Sequence, residues 1–132
     1  MKIALSIARI LLGLVFVAAS VSIVFFLSNP PPMPGLAGEF QKVFFASHWV
    51  LFVKAVEFVG GVLLLANRFV PLALTLLAAV ISNILMFHLA MDPGDLAVPA
   101  VVTLFWFAVA MQHRTSFAAL LAAKPQTAPL QK

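Results

Sequence analysis

Residues 44–66 read FFASHWVLFVKAVEFVGGVLLLA, an apolar run long enough to cross a membrane that carries Lys54 and Glu57 near its middle. Charged groups at that depth are costly in hydrocarbon and need partners. Three further runs share the composition, at residues 3–27, 69–91 and 96–112. The first three reach the roughly 20 residues needed to span about 30 Å of hydrocarbon. The fourth is shorter by that measure and is kept as a span over residues 96–112; only a continuation toward residue 123, with His113 and Arg114 reaching for the interface, would bring it to full length. The 132 residues are 64% hydrophobic and 9% charged, against about 45–50% and about 25% in soluble domains. The expected fold class is therefore all-α, an integral membrane four-helix antiparallel bundle forming a single transmembrane domain over residues 1–132.

Charge placement sets the expected topology. Lys2, Arg9, Arg68, Arg114, Lys124 and Lys132 fall on or near one side of such a bundle, and Lys42 alone falls on the other. The bias toward positive charge on the cytoplasmic side predicts both termini inside, a Pro-rich outer loop over residues 28–43 and a cytoplasmic tail over residues 115–132. Asn29 to Gly35, with four prolines, predicts a stiff extended connection. Asn67-Arg68 predicts a tight turn with Pro71 opening the third helix, and Met91-Asp92-Pro93-Gly94-Asp95 predicts another turn. The first run imitates a secretory leader, but Arg9 interrupts its apolar core and the run continues past the Val17-Ala18-Ala19 site, so it is read as a span. With no cysteine in the sequence, disulfides, thiol redox chemistry and thiolate metal sites are excluded. The net charge of +4 is distributed by topology and does not form a nucleic-acid patch, so lipid is the expected partner.

Helical spacing groups the polar residues. Lys2, Ser6, Arg9, Gly13 and Ser20 share one side of the first helix, and Ser47, Val50, Lys54, Glu57 and Gly61 share one side of the second. Gly60-Gly61 allows a neighbouring backbone to approach closely. By helical rise, Arg9 and Glu57 lie about 9 and about 13 Å inside the same end, which predicts an Arg9–Glu57 contact. Thr75, Ala79, Asn83, Met86 and Ala90 are assigned to the interior face of the third helix, so Arg9, Lys54, Glu57 and Asn83 form the expected buried polar cluster. That cluster is either a network that fixes helix register or a site for a quinone head group, a small anion or a proton relay. His48, His88, Asp92 and Asp95 gather near the outer side, but no pair has the one-face spacing of a metal site, and none is expected. No phosphate-binding loop, nucleophile elbow or haem ligand pair is present, and no catalytic residues are assigned.

The pattern Arg9-x3-Gly13, then Glu57-x2-Gly60-Gly61-x-Leu63-Leu64 followed by Arg68, resembles the DoxX-like group of small four-helix bacterial membrane proteins. Members of that group continue the first helix with a glycine and then a lysine, where this chain has Ser20 and Ile23. The resemblance implies a multi-pass protein of the bacterial cytoplasmic membrane, associated with redox systems such as quinone-linked thiosulfate oxidation and often acting as an accessory subunit. The expected partners are other membrane subunits or further copies of the chain. A small transporter using Arg9, Lys54 and Glu57, and a quinone-reactive oxidoreductase, are the alternatives.

Overall fold

A computed structural model describes residues 1–124, so residues 125–132 of the expected tail lie outside the described residues. The elements are α1 (Lys2–Val21), α2 (Ile23–Phe26), α3 (Gly35–Ala46), α4 (Trp49–Leu65), α5 (Val70–Met91), a 3-10 turn (Pro93–Asp95), α6 (Ala97–Gln112) and α7 (Arg114–Ala118). α1 packs on α4 and α6, and α5 packs on α4 and α6, which closes a ring of four apolar helices. Leu12, Phe16, Leu64, Leu74, Leu77 and Val109 fill its centre. The outward residues of these helices are also large and apolar, Ile7, Leu14, Phe52, Leu72 and Leu104 among them. A helix that is hydrophobic all round needs an apolar surrounding.

Two segments are long and apolar enough to cross a membrane, Lys2–Phe26 with 25 residues and Val70–Met91 with 22. α4, with 17 residues, and α6, with 16, measure about 26 and about 24 Å by helical rise, a little under the hydrocarbon thickness. The expected second span over residues 44–66 is corrected. The chain breaks at Ser47-His48, and α3 and α4 meet at 85°. His48 adopts the left-handed conformation, φ 59°, which starts α4 in a new direction. Phe44 and Phe45 therefore end α3. The expected loop over residues 28–43 is also corrected, since only its Pro-rich first half lacks helix. α3 sits against α5 through Phe40, whose ring lies 5.5 Å from that of Phe87. The last apolar helix ends at Gln112, where the chain turns at His113 into α7.

Glycine sets how close α1 and α4 come. A Cβ on Gly61 would stand 2.9 Å from the carbonyl oxygen of Gly13 and 2.9 Å from Cγ2 of Val17, and one on Gly13 would meet Leu65 at 2.9 Å. Gly60 faces the other neighbour, where a Cβ would stand 2.8 Å from Leu77 of α5. The adjacent glycines thus let α4 pack against two helices at once, the small-residue packing that substitutes for hydrophobic driving force in lipid. Across the ring, Trp106 of α6 donates its Nε1–H to the carbonyl of Leu74 on α5 at 2.9 Å.

Candidate functional site

The interior face of α5 is the reverse of the expected one. Thr75, Ala79, Asn83, Met86 and Ala90 are all exposed, whereas Val70, Ala73, Leu74, Leu77, Val80 and Ile81 are buried. Local hydrogen bonding is what allows this. Thr75 Oγ1 donates to the carbonyl of Pro71 at 2.9 Å, and Asn83 Nδ2 donates to that of Ala79 at 2.8 Å. A short polar side chain that bonds its own preceding turn tolerates an apolar surrounding. The core positions are left to leucines that fit against Gly60. Asn83 therefore leaves the polar cluster.

Arg9 takes a different partner from the one expected. Its guanidinium donates to the carbonyl oxygen of Leu64, in the last turn of α4. That turn ends in a Schellman motif, with Asn67 N–H on the Leu64 carbonyl and Arg68 N–H on the Leu63 carbonyl. Asn67 supplies the left-handed residue this motif requires, φ 54°. Arg9 brings a cation to the negative end of the helix dipole from a neighbouring helix. Its role is to tie α1 to the end of α4.

Glu57 pairs within its own helix. Lys54 Nζ lies 2.8 Å from Glu57 Oε2, the only ion pair among the described residues. The glutamate side chain is 3% exposed and the lysine 24%. Among the described residues no sealed side-chain nitrogen or oxygen lacks a partner. Glu57 Oε1, for which no donor is found among the described residues, therefore opens on free space.

That space is a cavity of about 230 Å³ between α1, α4, α5 and α6. Lys54 and Glu57 form its polar part, and Val15, Phe16, Ile81, Ile84, Val98 and Val102 supply apolar wall. His88 and Asp95 also line it, where α5 ends and α6 begins. His88 Nδ1 lies 2.8 Å from the carbonyl of Ile84. A carbonyl only accepts, so Nδ1 carries the proton and Nε2 of the neutral ring is left as an acceptor. Two groups that the sequence kept apart thus meet in one cavity: Lys54 and Glu57 from the buried cluster, and His88 and Asp95 from the outer set. His48 and Asp92 do not line it. Among the described residues no three histidine, aspartate or glutamate side chains converge on a metal position.

A bundle with lipid-compatible outer faces and a partly buried ion pair between its helices defines a small integral membrane protein. The chain belongs to the DoxX family, whose model matches residues 4–89. That stretch contains Arg9, Gly13, Lys54, Glu57, Gly60, Gly61 and His88, while Asp95 and α6 lie beyond it. No match was found among curated proteins or among solved structures.

Proposed function

We propose that this protein is an accessory subunit of a larger, quinone-linked complex in a bacterial inner membrane, and that its cavity binds a ligand without transforming it. In this reading α1, α4, α5 and α6 all cross the bilayer, antiparallel, with both termini cytoplasmic. The observation that carries it is the Lys54–Glu57 pair. The two charges neutralise each other, sit on one turn of one helix and have apolar walls around them, so the site offers hydrogen bonds and no activated nucleophile. A quinone head group fits both sides of the pair: its carbonyl oxygens would accept from the ammonium hydrogens Lys54 does not spend on Glu57, and its reduced form would donate an O–H to Glu57 Oε1. The bound quinone would carry electrons for a partner subunit, and Lys54 and Glu57 would only hold it.

The transport alternative has less behind it. Arg9 is spent on the α4 terminus and does not line the cavity, and beyond Glu57 the helices close on Gly13, Gly61, Leu64 and Leu77, all of them buried. Gentle solubilisation followed by native mass spectrometry tests the proposal. Co-purification with other membrane subunits is the expected result. A lone protomer of 14.2 kDa without partners, from membranes in which the protein is at its natural level, would overturn it.

A further inference from the structure

Lys54 belongs to two spaces at once. On one side it lines the inner cavity with Glu57, and on the other it lines an open groove of about 230 Å³ between α1 and α4, with Val21, Ile23, Leu51, Ala55 and Phe58. Val21, Leu51, Ala55 and Phe58 are exposed on the outer surface of the helix ring, the surface that meets acyl chains in a bilayer. The lysine side chain is the polar element shared by the groove and the cavity, and its long stem is able to swing between them. We infer that the cavity is loaded sideways from the bilayer, between α1 and α4, by a single-chain amphiphile whose head carries an O–H group. Head chemistry follows from the unspent valences of the pair. Glu57 Oε1 needs a donor, and Lys54 has ammonium hydrogens to give to an acceptor. A hydroxyl does both at once, with its O–H on Glu57 and its lone pairs toward Lys54. The apolar groove takes one chain. This inference rests on the cavity described above and is independent of whether the protein is a subunit of a larger assembly.

The test uses the full-length protein in phosphatidylcholine vesicles with a hexadecanol analogue bearing a diazirine near the chain end. Irradiation and peptide mass spectrometry should place the label on groove residues, Val21, Ile23 or Phe58. Excess hexadecanol should abolish labelling and excess hexadecyl methyl ether, which accepts but cannot donate, should compete at least tenfold less well. Ala55→Trp, which fills the groove without touching Glu57, should remove the label, and Leu104→Trp, on the outward face of α6 and away from both spaces, should leave it. Equal competition by the ether, a label spread over all lipid-facing helices, or loss of labelling in L104W and not in A55W would overturn the inference. Should A55W fail to fold, the position of the label and the ether competition on the unmodified protein decide it alone.

Discussion

Removing one partner of the Lys54–Glu57 pair should cost more when the lysine goes than when the glutamate goes. Breaking a buried pair on one side costs about 3–5 kcal/mol, since it leaves an uncompensated charge. Lys54→Met strands a carboxylate that is 3% exposed on a short side chain, with no other cation among the described residues within ion-pair distance, so the loss belongs at the upper end, about 5 kcal/mol. Glu57→Leu strands an ammonium that is 24% exposed and able to turn its flexible stem into the α1–α4 groove. Its cost belongs at the lower end, about 3 kcal/mol. Replacing both, Lys54→Met with Glu57→Leu, leaves no charge to desolvate and should return stability to within about 1 kcal/mol of the parent. Equilibrium unfolding by SDS titration in mixed micelles, followed by the fluorescence of Trp49 and Trp106, measures all four proteins. Single variants within about 0.5 kcal/mol of the parent, or a double variant costing the sum of the two, would refute the reasoning.

Arg9→Leu should cost about 1.5–3 kcal/mol, the scale of a hydrogen bond from a charged group, with Arg9→Lys recovering part of it. Combined with Glu57→Leu in the same titration, its cost should simply add, whereas a direct Arg9–Glu57 pair would give strong coupling. Gly61→Ala drives a methyl against the Gly13 backbone and should lose about 1–3 kcal/mol, while Gly94→Ala, with nothing within 4 Å of the new Cβ, should be neutral. Trp106→Phe removes the bond to the Leu74 carbonyl and should cost about 0.5–1.5 kcal/mol, read by the shift of the unfolding midpoint under thermal scanning in detergent. Reporter fusions at residue 132 and within Pro30–Pro34 should report opposite sides of the membrane, and a shared side would break the four-span topology.

Hydropathy reads α1 and α5 from sequence because nothing interrupts them, and it reads α6 nearly to its last residue. It misreads residues 44–66 because Phe44-Phe45-Ala46 continues the apolar run across an 85° bend made at His48, a residue with no compositional mark of a turn. The glycine contacts were legible, since Gly13, Gly60 and Gly61 lie on the faces that approach. Two parts of the site were not. Depth arithmetic matched Arg9 to Glu57 across helices, although Lys54, three residues from Glu57 on the same face, is able to reach it and depth does not rank the two cations. On α5, the angle of about 140° between Asn83 and His88 follows from helical geometry, but small size and polarity do not by themselves mark the interior face. Self-bonded Thr75 and Asn83 face outward, and His88 therefore turns to the cavity.

Which cation holds Glu57 in the bilayer decides whether the cavity contains the Lys54–Glu57 pair. The chain has two glutamates, Glu39 and Glu57, and Glu39 is exposed on α3, so Glu39→Gln leaves one glutamate to label. Solid-state NMR of that protein in lipid, with 13Cδ in glutamate and 15N in either lysine Nζ or arginine Nη, measures the pairing by dipolar dephasing. Strong dephasing from lysine and none from arginine is the predicted result. Dephasing from arginine, or from neither, would contradict the placement of the Lys54–Glu57 pair in the cavity of the bundle.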